Sequence, residues 1–147
     1  MENINLKRTG EKKTVELREK NGVKYLVFPR IEELGIVEHL FSTRLGGVSK
    51  GDYAQMNLSY TRGDEKEAVD ENYRRIAEVM GYGKRLDLFV STYQTHTTNV
   101  KVITAKDKGK GPLYERDYVD VDGLVTNEKG IILSTFHADC PPVYIID

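Results

Sequence analysis

DEKEAVDENYRRIAEVMG (residues 64–81) is the stretch whose reading decides the fold. Val69, Tyr73, Ile76, Ala77 and Met80 recur at helical spacing and draw one apolar face. Asp64 followed by Glu67 has the spacing of a capping box, with Asp64 as N-cap, and Gly81 is a natural stop. The expectation is a structural helix over residues 65–80.

Working outward, every other patterned segment is short and strand-like. Residues 14–17 and 23–28 flank Asn21-Gly22, a pair that tolerates positive φ at both central positions of a tight turn, so they read as a hairpin ended by Pro29. Residues 37–41, 86–91, 100–104, 123–126, 131–135 and 143–146 read as further strands. Residues 42–49, 50–60, 93–99 and 106–120 are polar or glycine-bearing and read as loops. One helix among many strands, without regular alternation, predicts an α+β fold with mixed or antiparallel sheets and few helices, residues 1–147 belonging to a single domain that is incomplete at its C-terminal end.

Composition narrows the function classes. With 39% apolar residues among 147 the chain supports one core, and no apolar run approaches the ~20 residues of a membrane-spanning helix. The polar start has no apolar segment of the secretory kind. A net charge of -1 gives no reason to expect nucleic acid or a membrane as partner. The charged patches (Lys7 to Lys20; Lys106, Lys108 and Lys110; Glu115, Asp117, Asp120 and Asp122) read as solvated surface. The one cysteine, Cys140, has no partner for an internal disulfide, which suits a reducing cytoplasm.

Three places hold chemistry-bearing residues. His96 sits in a Gln-Thr-His turn between two strands, with Gln94, Thr95 and Asn99 at hand to orient its ring. Cys140 lies in HADCPP (residues 137–142), where two prolines stiffen the turn; its thiolate suits either a zinc ligand or a nucleophile paired with histidine. Arg44 lies in STRLGGVS (residues 42–49), where Gly46 and Gly47 free backbone amides that, with the guanidinium, suit an anion such as phosphate. Each feature also has a plain structural reading: a surface histidine, a buried inert thiol, a turn beside a surface arginine. Spacing alone does not bring His96 and Cys140 together.

The ordered set FSTRLGGVS (41–49), Asn57-Leu58, Gly63-Asp64, Gln94-Thr95-His96, Asn99-Val100, DGLVT (122–126) and Ala138-Asp139-Cys140 resembles the YfiH-like, or laccase-domain, family. The resemblance runs from about Phe41 to the last residue. It implies a YfiH-like fold of which this chain covers the N-terminal part. It also implies a cytoplasmic, monomeric purine nucleoside phosphorylase that converts adenosine, inosine, guanosine and methylthioadenosine to base plus ribose 1-phosphate, with adenosine deaminase activity. The partners so implied are purine nucleosides and phosphate, and the cofactor is Zn2+. Carried over position by position, His96 and Cys140 are metal ligands, Arg44 is a phosphate or substrate contact, and Asp139 orients the site beside the cysteine. The third ligand of the family opens a His-Ala/Ser-Gly-Trp-Arg-Gly motif, expected beyond Asp147; His137 is not at a ligand position of the pattern. Thr97 stands where the family usually has glycine. Two other readings compete: a Cys-His hydrolase with Cys140 as nucleophile and His96 as base, and a non-catalytic binding protein linked to cell division. Copper-dependent phenol oxidation ranks below both, since three histidines are too few for several coppers.

Overall fold

The structure is a computed structural model that describes Ile4 and residues 10–147. The expectations placed on residues 1–3 and 5–9, the polar start and Lys7 of the first charged patch, lie outside the described residues. Strands β1 (Glu16–Lys20) and β2 (Val23–Val27) form the expected antiparallel hairpin, paired from Glu16↔Val27 to Lys20↔Val23. Its turn works because Asn21 and Gly22 both take positive φ, 54° and 77°. Pro29 ends β2 and opens a single turn, α1 (Pro29–Glu32), before β3 (Phe41–Ser42) pairs with the other edge of β2. The strand expected from residue 37 thus shortens to two residues, and the ring of His39 takes up the backbone amide of Phe28 instead.

The helix stands as α2 (Lys66–Val79). Its capping box does not form: Glu65 is the N-cap and contributes no side-chain cap. The Asp64 carboxylate accepts hydrogen bonds from the Ser49 hydroxyl (2.6 Å), the Asn57 amide (2.9 Å) and the Glu65 N–H (2.9 Å). These donors, Ser49 first, hold its pKa below the usual carboxylate range. The residue reads locally as a cap and acts as a tie between two loops and the helix start.

Four short strands follow: β4 (Phe89–Ser91), β5 (Val100–Val102), β6 (Gly123–Val125) and β7 (Ile132–Ser134). β4 pairs with β7, and β5 with β6, both in parallel, while the hairpin sheet is antiparallel. Mixed sheets with few helices match the predicted fold class. Residues 143–146 are not a strand. Their backbone has no neighbouring strand among the described residues, and Val143 and Ile145 are 77% and 90% exposed. Tyr144 anchors this stretch, donating to the Leu40 carbonyl (3.2 Å) and packing on the rings of Phe28 and His39.

The core forms where α2 lies on the hairpin and β4. Tyr73 is buried, stacks on Tyr60 (5.6 Å) and meets Phe89 edge-on (5.0 Å), with Val23, Val69, Ile76 and Leu86 around it. Asn72, one residue earlier, is fully buried and entirely satisfied. Its amide donates to Ser49 Oγ, Gln55 O and Asn57 O, and its oxygen accepts the Val48 N–H. One side chain thereby closes the backbone of both loops that follow β3. Replacing Asn72→Ala strands several buried polar groups, each worth about 1–3 kcal/mol when left unpaired. We predict a loss of about 3 kcal/mol or more in urea unfolding of Asn72→Ala, whereas Arg74→Ala, on the solvent side of α2, stays within about 0.5 kcal/mol of the parent.

Candidate functional site

The parallel register of β4 on β7, Phe89↔Ile132 to Ser91↔Ser134, sends both chains off the sheet at the same edge. Substrate sites of open sheets with parallel strands gather at that carboxyl edge. The connection after β4 carries His96 and that after β7 carries Cys140. They remain joined past the strands: the Thr92 N–H donates to Ser134 O (3.1 Å). The Gln94 side chain then binds both backbone groups of one residue, its amide donating to Phe136 O (2.9 Å) and its oxygen accepting the Phe136 N–H (2.7 Å). The next residue, His137, lies against Phe41 with ring centroids 6.0 Å apart. Phe41 is three residues ahead of Arg44. Residues 136–137 thus touch the loop of His96 and the strand β3 that leads into the loop of Arg44.

His96 is exposed, with φ of 63°, a left-handed conformation unusual for a residue with a side chain. Asp122 holds it there. Its carboxylate accepts the backbone N–H groups of Thr95 (3.1 Å), His96 (2.9 Å) and Thr97 (3.0 Å) and the Thr97 hydroxyl (2.9 Å). These donors, the Thr95 amide first, pull the Asp122 pKa down to about 2. Thr97 therefore does a job that glycine cannot. The three residues expected to orient the imidazole bond elsewhere: Gln94 to Phe136, Thr95 to Asp120 Oδ1 (2.7 Å) and Asn99 to Asp120 O (2.8 Å). They shape the loop rather than the ring.

Cys140 and Asp139 are both exposed on the bend after β7, and Cys140 is a free thiol. Among the described residues no group of three His, Cys, Asp or Glu side chains is placed to hold a metal ion. The other histidines have structural contacts. His39 Nε2 accepts the Phe28 N–H at 2.8 Å, and burial lowers its pKa. His137 Nε2 lies 2.9 Å from Thr135 Oγ1.

The glycine loop departs from its expectation. Gly46 and Gly47 are there for close approach: a Cβ on either would lie 2.3 Å from Gly22 O or 2.1 Å from Gln55 O. The amides of Leu45, Gly46, Val48 and Ser49 are all paired within the protein, so they form no open anion nest. Anion recognition falls to side chains. Arg44 is held by its Nε (3.1 Å) and Nη2 on the Ala54 carbonyl and borders a hollow of about 480 Å3 that Arg62 and Asn57 also line. Neither arginine has a carboxylate partner among the described residues.

A mixed-sheet α+β fold with an exposed histidine and cysteine on two loops joined through Gln94 and Phe136 defines a candidate site. The family profile described as multi-copper polyphenol oxidoreductase laccase matches residues 38–147, and the chain belongs to this YfiH-like family. It is 35% identical over 106 residues to the purine nucleoside phosphorylase YlmD of Geobacillus stearothermophilus, covering 71% of this chain and 38% of that one. It is 36% identical over 111 residues to a purine nucleoside phosphorylase of Corynebacterium glutamicum, covering 76% of this chain and 42% of the relative. The solved structure of the Bacillus licheniformis hypothetical protein YfiH superposes with a TM-score of 0.71 at 25% identity, over 84% of this chain and 45% of that one. The chain thus spans about two fifths of the length of these relatives. No helix among the described residues is long and apolar enough to cross a membrane.

Sequence reading missed Asp122 as a site residue. Its signal was present, since Asp122 opens the DGLVT segment, but only the fold shows it reaching residues 95–97. Because the folded pKa is depressed from 3.8 to about 2, the stabilisation it gives is complete above about pH 4 and is lost as pH falls through about 2. Protection of the residue 95–97 amides against exchange, relative to the unstructured rate at each pH, should hold down to about pH 4 and fall toward pH 2. In Asp122→Ala that protection should be lost across the whole range.

Proposed function

We propose that this chain supplies the histidine, the cysteine and the arginine of a zinc-dependent purine nucleoside phosphorylase that also deaminates adenosine. The observation that carries the reading is the double hydrogen bond of Gln94 to Phe136, which supports a common site for the loops of His96 and Cys140. The similarity to relatives named purine nucleoside phosphorylase supports the reaction class.

The donor set fits zinc in type. Imidazole nitrogen and thiolate sulfur are its usual ligands, and both are exposed at the same sheet edge, but a zinc site takes at least three protein ligands. His96 and Cys140 would hold the ion, with a further ligand required from outside the described residues. When bound, zinc would supply a Lewis acid able to lower the pKa of a water toward ~7 for deamination. Asp139, next to Cys140, would orient the site.

Arg44 and the hollow beside it would seat phosphate. In phosphorolysis a phosphate oxygen forms a bond to the ribose anomeric carbon as the glycosidic carbon–nitrogen bond breaks. The base leaves with the bond's electron pair and takes up a proton. Positive charge builds on the ribose, and the phosphate itself meets it. An arginine fixed by Ala54, with no carboxylate in ion-pair contact among the described residues although Asp52 lines the same hollow, suits that anion by charge and by its planar donor fork. The substrates proposed are adenosine, inosine, guanosine and methylthioadenosine, and a monomer in the cytoplasm is the proposed working form.

With two ligands, the 147-residue chain should bind zinc weakly and show no adenosine phosphorolysis beside a full-length relative such as YlmD, read by metal content and base release. Phosphorolysis at the relative's rate would refute the reading. Cys140→Ser should abolish whatever zinc is retained. Retained zinc, together with loss of a trappable acyl-enzyme, would instead make Cys140 the nucleophile of a hydrolase.

A further inference from the structure

We propose that a cleft between the 111–119 loop and the edge formed by Tyr60 and Lys66 binds a planar aromatic anion of nucleoside-monophosphate size. Its volume is about 420 Å3, and it shares no lining residue with the hollow beside Arg44. Small-molecule sites commonly fall at about 300–1,000 Å3, with aromatic walls and a few placed polar groups. Four tyrosines, Tyr60, Tyr93, Tyr114 and Tyr118, contribute to this lining.

Arg116 is the charged group that selects the ligand. It is partly buried, and its Nη1 donates to Thr92 O (2.7 Å) and Ser91 Oγ (3.3 Å), both neutral acceptors. Its guanidinium carbon lies 4.9 Å from the centroid of the Tyr93 ring. Among the described residues no carboxylate lies within ion-pair distance of it, and its Nε and Nη2 have no hydrogen-bond partner. A partly buried cation with two open donors and no ion-paired carboxylate among the described residues favours an anion, and the guanidinium plane accommodates phosphate oxygens in pairs. Lys66 adds less, because its ammonium is shared with Asp70 at 2.8 Å. Glu115 also lines the cleft, and its charge favours a single phosphate over a longer polyphosphate. The arginine alone would take any anion. One face of Tyr93 carries Arg116 and Tyr60 stacks on Tyr73, so the exposed ring of Tyr114 is the one that adds the preference for a flat ring, since aromatic stacking accepts any base with a π-face.

The site stands apart from the phosphorolysis reading, and its test is independent of turnover. Isothermal titration of the full 147-residue chain with AMP, adenosine and inorganic phosphate separates ring from charge. AMP should bind, with adenosine and phosphate each about tenfold weaker or worse, since each lacks one of the two contacts. Arg116→Gln should weaken AMP about tenfold or more while the far-ultraviolet circular dichroism is unchanged. Because Arg116 also holds the Thr92 carbonyl, Tyr114→Ala is the second variant. Tyr114 is 63% exposed and its ring has no hydrogen bond, so its removal should leave the fold intact and weaken AMP about fivefold. No heat with AMP, phosphate binding as tightly as AMP, or AMP binding in both variants unchanged from the parent would overturn the proposal. So would AMP binding that is lost in His96→Ala and kept in Tyr114→Ala.

Discussion

The parallel pairing of β4 with β7 is the constraint on which the rest of the site depends. Three residue pairs, Phe89↔Ile132, Val90↔Leu133 and Ser91↔Ser134, join segments more than forty positions apart. An antiparallel arrangement would send the two connections to opposite edges and separate histidine from cysteine. The parallel one sends both connections to one edge, and it obliges the chain between the strands to make a long return. That return carries β5, the 106–120 loop and β6, and so it brings Asp122 back to the turn that holds His96. A short pairing is enough because Val90 is fully buried and Phe89 packs under Tyr73, so the strand is held from both faces.

Two carboxylates and one amide then do most of the positioning. Asp64 joins the 42–49 loop, the 50–60 loop and the start of α2, and Asn72 closes the same loops from inside the helix. Asp122 holds residues 95–97 in a conformation the backbone would not choose unaided. In each case a polar side chain satisfies several backbone or side-chain donors at once. Arg44 and His96 are consequently presented from shaped loops, while their own side chains remain exposed to a ligand.

The elements with local causes were legible in the sequence. The apolar spacing of α2, the Asn21-Gly22 turn and the polar loops all act over a few residues, and they appear where the pattern puts them. What failed were features decided at long range. Asp64 has the spacing of a cap, yet three other donors claim it. Gly46 and Gly47 look like an anion nest, yet they exist to let two backbones pass. Residues 143–146 have a strand's composition but no strand beside them. Sequence named His96, Cys140 and Arg44 as separate candidates, and the ordered family segments linked them. The fold adds two contacts between the segments that carry them, Gln94 with Phe136 and Phe41 with the ring of His137.

The convergence of these loops is the central claim, and the lone cysteine makes it directly measurable. A nitroxide attached at Cys140 broadens the amide resonances of nearby residues and no others. The account predicts strong broadening at residues 94–97 and at residues 41–44, both remote in sequence from the label. Broadening confined to residues adjoining Cys140 in the chain, with residues 94–97 sharp, would contradict it.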